Sequence, residues 1–293
     1  MAVRSAQHTS ARNSRTVYPR TRRIRFRFNE EGGRKYFVAG DMVFSHFVAG
    51  LSGAFPPGEE GFIRSVRRFA DRITDPELKK RVAGFIGQES MHGQEHRHLN
   101  EKLVAMGYPI AWWDSKRLKD RQIRFEDRLP AHVHLALTAA AEHYTAVLAE
   151  RVLSSDELQS IPADAEVWHL LNWHALEELE HKSVAFDVYR AVGGTERTRI
   201  AVMAVACTLL LPLTLVSLAV SVGSDPVARR HPGRLARETY DLFTGPIFQG
   251  LLPDLAVYLR PGFHPDDVDT SALAEQWRDT LFGAHGVLVD HLK

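Results

Sequence analysis

Cysteine is nearly absent from this chain of 293 residues, since Cys207 is the only one. A single cysteine excludes an internal disulfide, and it also excludes zinc sites and iron–sulfur clusters built from cysteine. We therefore expect a reducing compartment, the cytoplasm. Any metal that the chain binds must be held by carboxylate and imidazole side chains.

An excess of one charge sign is also missing. The formal net charge is +1, so bulk electrostatics do not favour nucleic acid, and we expect none as a partner. No glycine-rich phosphate loop, nucleophile elbow or dinucleotide fingerprint occurs, and strand signals are sparse. With 44% hydrophobic residues, a chain of this length can bury one large core, and we predict an all-α fold.

Metal-binding side chains are concentrated between residues 173 and 189, in W-H-A-L-E-E-L-E-H-K-S-V-A-F-D-V-Y. At about 100° per residue, His174, Glu177, Glu178 and His181 share one face of a helix. The same face continues into apolar positions, which predicts that it points into the core.

A second stretch, F-I-G-Q-E-S-M-H-G-Q-E-H, repeats the Glu-x-x-His spacing and places Glu89, His92 and His96 on one face. Two lone glutamates lie on other predicted helices. Glu59 follows a predicted break at residues 56–58, and Glu142 lies on a face of small and apolar residues. Two Glu-x-x-His helices and two lone glutamates are the ligand set of dinuclear sites in ferritin-like four-helix bundles. The alternatives are a helix-start role for Glu59 and a purely structural polar network.

We predict a dinuclear centre of seven ligands. The ligands are Glu59, Glu89, His92, Glu142, His174, Glu178 and His181. In this hypothesis Glu59, Glu89 and His92 hold one ion, Glu142, His174 and His181 hold the other, and Glu89 and Glu178 bridge them. His96, Glu177 and Asp187 are candidates for extra ligands or for groups that orient the imidazoles. The roles of Glu95, Glu101, Glu150 and Glu180 are left open, with a solvated face as the default for each.

The chain divides into three predicted regions. Residues 1–35 form a basic, flexible arm whose R-I-R-F-R-F segment is either a short strand or an extended segment laid over the bundle. Residues 36–195 form the four-helix core, and residues 196–293 pack on it. Within the last region, residues 200–224 contain no charged residue and are long enough to cross a bilayer as a helix. The alternatives are a helix buried in a soluble bundle and a membrane hairpin broken at Pro212.

Several motifs together resemble a known family. F-P-P-G-E, D-P-E-L, A-E-H-Y-T-A and the two metal-binding stretches look like the bacterial family of predicted metal-dependent hydrolases, over roughly residues 55–194. That resemblance implies hydrolysis. The ligand pattern also resembles, more distantly, di-iron oxygenases of the p-aminobenzoate N-oxygenase type, in which an added histidine matches His174.

For function, we predict an oxygen-dependent di-iron oxygenase or oxidoreductase, because bridging carboxylates on helices are typical of di-iron and di-manganese centres. The cofactors are then two iron ions, with manganese or zinc as alternatives. The expected partners are a small-molecule substrate of apolar character, an electron donor, a membrane contacted through residues 200–224, and a second copy of the chain in a homodimer. The alternative functions are a metal-dependent hydrolase and a non-catalytic metal-binding bundle.

Overall fold

The structure is a computed structural model that describes residues 18–28 and 34–293. These residues form helices and no strand; two isolated β-bridges join Ile24 to Leu292 and Val38 to Ala163. The helices are α1 (Met42–Arg67), α2 (Pro76–Ala105), α3 (Lys116–Arg128), α4 (Ala131–Ser154), α5 (Asp156–Gln159), α6 (Ala165–His181), α7 (Val184–Ala191), α8 (Glu196–Ser224), α9 (Pro226–Arg230), α10 (Pro232–Thr244), α11 (Leu251–Ala256) and α12 (Ser271–Phe282).

Four long helices surround the predicted centre. α1 packs along α2, α4 packs along α6, and contacts between α1 and α4 and between α2 and α6 join the two pairs. The all-α prediction is confirmed, while the ferritin-like arrangement stays a prediction.

The starts of α2 and α6 are fixed by aspartate caps. The Asp75 carboxylate accepts the backbone N–H of Glu77, and Pro76 occupies the first turn of α2, as the D-P-E-L motif predicts. The Asp164 carboxylate accepts the N–H groups of Glu166 and Val167 at the start of α6. These caps set where each metal-binding helix begins.

The predicted break at residues 56–58 is wrong, because α1 runs through Pro56 and Pro57 without interruption. Pro56 has no N–H to donate to the carbonyl of Ser52, four residues earlier. The side-chain amide of Asn100 on α2 donates to that carbonyl instead, at 2.9 Å. A neighbouring helix therefore satisfies the acceptor that the proline leaves free.

Residues 18–28 form an extended arm over α2. A side chain added at Gly84 or Gly87 would collide with Pro19 or Thr21, so these glycines permit the close approach. Ile24 is fully buried. Of the two predicted conformations the structure shows the extended segment laid over the bundle. Residues 1–17 and 29–33 of the predicted basic arm lie outside the described residues.

The arm also buries two glutamates that we expected in solvent. Glu95 is 0% exposed and accepts the backbone N–H of Phe26 at 3.0 Å. The Glu180 side chain is 2% exposed and pairs with Arg22. Both expectations are wrong, because helical periodicity does not show that a distant segment covers a face.

The hydrophobic segment forms one helix, α8, which continues through Pro212. The hairpin alternative is therefore wrong. One face of α8 packs on α1 and α4, whereas Leu209, Val216 and Val220 are 59–65% exposed. The alternative of a helix buried in the bundle is also wrong. Among the described residues α8 is the one helix long and apolar enough to cross a membrane.

Candidate metal centre

The seven predicted ligands meet at one place in the bundle. α1 supplies Glu59, α2 supplies Glu89 and His92, α4 supplies Glu142, and α6 supplies His174, Glu178 and His181. None is more than 4% exposed. Gly93 allows this convergence, because a Cβ there would lie only 3.2 Å from Oε2 of Glu59.

The ligand atoms form two adjacent groups. The first contains Glu59, His92 and His174, with Nε2 of His174 3.8 Å from Oε1 of Glu59. The second contains Glu89, Glu142 and His181. There, Nε2 of His181 lies 3.1 Å from Oε1 of Glu89 and 3.4 Å from Oε2 of Glu142. Each group offers carboxylate and imidazole atoms to one ion.

Glu89 and Glu178 face both groups. Glu89 turns Oε1 towards His181 and Oε2 towards His92, with 4.0 Å between Oε2 and Nδ1 of His92. Oε1 of Glu178 lies 3.7 Å from Nδ1 of His92 and 3.4 Å from Nε2 of His181. This placement suits two shared carboxylates between two cations.

The predicted position of His174 beside Glu142 and His181 is wrong. Its imidazole stacks on that of His92, with 4.1 Å between ring centroids, in the group that contains Glu59. Along α6, His174 lies about 10 Å before His181, so the two histidines reach opposite ends of the centre.

Unpaired polar atoms point into the centre. Both carboxylate oxygens of Glu59, Glu89 and Glu142, Nδ1 of His92 and Nε2 of His181 are buried without a hydrogen-bond partner. Buried polar atoms are normally paired, since leaving them unpaired is costly. Cations bound between the two groups would pair all of these atoms, so the residues present fit a metal centre.

Electrostatics also favour cations. Burial raises the pKa of the Glu59 carboxyl well above its usual value, and the negative charges of Glu89 and Glu178 raise it further. Burial likewise raises the pKa of Glu142, although His181 opposes the shift. Positive charge supplied at the centre would allow these carboxylates to ionise together.

Two of the histidines are oriented through their outer nitrogens. Nε2 of His92 donates to Oε2 of Glu177 at 3.1 Å, and Nδ1 of His181 donates to Oε1 of Gln88 at 3.0 Å. Each bond leaves the other ring nitrogen free to face the centre. Glu177 is one of the predicted orienting groups. Sequence reasoning missed Gln88, which lies next to a ligand and therefore about 100° away from the ligand face.

A chain of hydrogen bonds orients His174. The Ser52 hydroxyl donates to Oδ1 of Asn100 at 2.7 Å, so its oxygen accepts Nδ1–H of His96 at 2.9 Å. Nε2 of His96 is then the acceptor for Nδ1–H of His174, at 2.7 Å. This order leaves the lone pair of His174 Nε2 pointing at the centre. His96 therefore contacts His174, and its orienting role stays a prediction.

Asp187 does not contact the centre, and its predicted orienting role is wrong. Its carboxylate accepts hydrogen bonds from Arg81 at 2.6 Å and from His264 at 2.8 Å. α6 ends at His181 and a new helix begins at Val184. The helical face extrapolated from residue 174 therefore does not reach residue 187.

A family model described as predicted metal-dependent hydrolase matches residues 20–269. The chain belongs to this family. The match includes all seven predicted ligands and residues 20–28 of the arm, so it extends beyond the residues 55–194 that carried the resemblance. No curated protein and no solved structure matches the chain. The family and the buried glutamate and histidine groups together indicate a metal-dependent enzyme.

Membership of the predicted metal-dependent hydrolases corrects our prediction of activity. The oxygen-dependent di-iron oxidoreductase is wrong, because the family that covers most of the chain is described by hydrolysis. The electron donor expected as a partner has no place in that chemistry. The stated alternative, a hydrolase that uses metal-activated water, is the better supported one.

Proposed function

We propose that the protein is a hydrolase with two divalent cations. One would be held by Glu59, His92 and His174. The other would be held by Glu89, Glu142 and His181, and Glu89 and Glu178 could serve both. The observation that carries the proposal is that two neighbouring groups of buried ligand atoms, most of them unpaired, face each other across these shared carboxylates.

Carboxylates and imidazoles together suit zinc, manganese and iron. Divalent cations bound at such a site lower the pKa of a coordinated water and polarise an oxygen of the substrate.

Glu178 is the ligand carboxylate that borders a cavity beside the centre, so it lies where water and substrate would meet the ions. The Thr145 hydroxyl donates to Oε2 of Glu178 and holds it in this orientation.

Activity without oxygen tests the proposal. Protein stripped by a chelator is reloaded anaerobically with Zn²⁺ or Mn²⁺ and assayed with 4-nitrophenyl butyrate. We expect turnover that depends on the metal and falls by at least about 100-fold in Glu178→Gln, because this variant loses a carboxylate shared between the two ions. Glu101→Gln, an exposed glutamate on α2, is the matched control and should keep full activity. Equal turnover by stripped and loaded protein would refute the proposal.

A further inference from the structure

A cavity between α1, α4 and α6 ends at the metal centre. Its inner end is formed by His174 and Glu178, and Thr145 lies beside them. His174 and Glu178 are each 4% exposed, whereas the other five ligand residues are at most 2% exposed. A substrate in this cavity would therefore meet the centre at these two side chains.

The walls of the cavity are almost entirely hydrocarbon. Apart from the inner end, the polar group in the lining is the indole N–H of Trp168, which donates to the carbonyl of Ile161 at 2.9 Å. No lysine, arginine, aspartate or asparagine lines the cavity. A charged group on the substrate would find no partner there, so the body of the substrate must be neutral and apolar.

The cavity is elongated along α1. Phe44, Val48, Leu51 and Phe55 line it at helical spacing, a distance of roughly 16 Å at 1.5 Å per residue. Leu148 lies on the opposite wall, contributed by α4. The cavity volume is about 90 Å³, so the space along α1 is narrow. The shape suits a chain better than a compact ring system.

We propose that the substrate is a neutral carboxylic ester whose hydrocarbon chain fills this cavity and whose carbonyl lies at His174 and Glu178. The inference rests on the proposed hydrolase function. In the reaction, the oxygen of water forms a bond to the acyl carbon, and the bond from that carbon to the alkoxy oxygen breaks. One proton of the water passes to the leaving oxygen, so the products are a carboxylic acid and an alcohol.

Binding of linear alcohols tests the cavity separately from catalysis. Hexan-1-ol, octan-1-ol and decan-1-ol are titrated calorimetrically into metal-free and zinc-loaded protein. We expect the affinity to rise by about fourfold per added methylene until the cavity is full, with or without metal. Leu148→Trp and Val152→Trp fill the cavity and should abolish this dependence. Leu252→Trp, at a position 63% exposed, is the matched control and should bind as the wild type does.

Ester hydrolysis then distinguishes the two proposals. With 4-nitrophenyl acetate, butyrate and octanoate, kcat/KM should rise with acyl length in wild type and in Leu252→Trp and stay flat in Leu148→Trp. Hydrolysis without any dependence on chain length would overturn the chain-binding inference but would not contradict the proposed hydrolase function. Chain-length-dependent alcohol binding without hydrolysis of any ester would overturn the hydrolase and the ester substrate, although the cavity would still bind hydrocarbon. Alcohol affinity that is unchanged in both tryptophan variants would overturn the cavity assignment.

Discussion

The imidazole of His174 is held by a side chain that lies two hydrogen bonds away. Ser52 accepts Nδ1–H of His96, and His96 accepts Nδ1–H of His174. A metal-binding histidine needs its outer nitrogen engaged in this way to present the correct tautomer. Ser52 itself never touches the centre.

Replacing Ser52 by alanine removes the acceptor for His96. We expect Ser52→Ala to weaken zinc binding by about 10- to 100-fold, because His174 loses its fixed tautomer and orientation. Competition with a chromophoric chelator measures the affinity. Ser65→Ala is the control on the same helix, since the buried Ser65 hydroxyl bonds to Thr138 and not to the centre. Equal affinity in Ser52→Ala and Ser65→Ala would show that this chain of bonds does not position His174.

At this scale the sequence predicts the ligands better than their partners. Two Glu-x-x-His pairs repeat at helical spacing, so periodicity places each pair on one face of its helix. The assignment of His174 to the wrong group, and the omission of Gln88, come from contacts between helices. Such contacts depend on how two helices are rotated against each other, which the spacing within one helix does not determine.

At the scale of elements, α1 shows how a helix accommodates Pro56. The proline pair predicts a break, but the amide of Asn100 satisfies the Ser52 carbonyl. The helix can therefore continue and carry Glu59 to the centre.

The coupling between Asn100 and Pro56 can be measured by a double-mutant cycle. We expect Asn100→Ala to lower the free energy of unfolding by about 1–3 kcal/mol, because it leaves a buried carbonyl unpaired. In the Pro56→Ala background the new N–H can donate to Ser52, so the same substitution should cost about 1 kcal/mol less. Urea unfolding with a chelator present measures both values. Identical costs in the two backgrounds would contradict this account of the helix.

For α8 the sequence leaves three alternatives: a helix across a membrane, a helix buried in the bundle, and a membrane hairpin. Its exposed apolar face includes Leu209 and Val216, and the exposed Arg197, Arg229 and Arg230 flank the helix. Arginines at both ends of an apolar helix suit a surface of anionic lipid.

We expect α8 to bind lipid through its exposed face. The protein should sediment with vesicles that contain phosphatidylglycerol. The double variant Leu209→Glu/Val216→Glu should reduce the bound fraction by at least about tenfold, because each substitution places a charge in lipid. Leu252→Glu, outside α8, should have little effect. Wild-type protein that forms dimers and stays in the supernatant would contradict the lipid contact and favour the homodimer.

At the scale of the whole molecule, the arm connects the N-terminal residues to both ends of the centre. Arg22 donates to Glu177 at 2.7 Å, and Glu177 orients His92. Arg22 also pairs with both oxygens of Glu180, which accepts from the amide of Gln88, the residue that orients His181. One arginine therefore supports the outer partners of two metal-facing histidines. Burial raises the pKa of Glu177 to about 8, and the charge of Arg22 opposes that shift.

Replacing Arg22 should affect stability and metal binding together. We expect Arg22→Met to lower the free energy of unfolding by about 3–5 kcal/mol, because the buried Glu177 loses its cation and Glu180 keeps only Arg278. Arg23→Met, at an exposed position of the same arm, should change it by less than about 0.5 kcal/mol. Urea unfolding and zinc titration of both variants check the prediction. Similar stability in the two variants would mean that the arm does not support the centre.

The arm is the part of the structure that is hardest to predict from the sequence. Its basic composition is typical of a solvated tail, and the glycines that receive it, Gly84 and Gly87, carry no signal that separates a docking groove from an ordinary helix. The burial of Glu95 and Glu180 follows from the arm and could not be predicted from α2 or α6 alone. By contrast, the all-α class follows from helical periodicity along most of the chain.

Counting bound metal tests the central claim most directly. Zinc-loaded, desalted protein is analysed by inductively coupled plasma mass spectrometry against the protein concentration. The two adjacent ligand groups predict two zinc ions per chain in wild type and about one in Glu59→Gln and in Glu142→Gln, since each variant loses a ligand of one group only. A wild-type chain that retains one zinc ion or none would contradict the dinuclear centre.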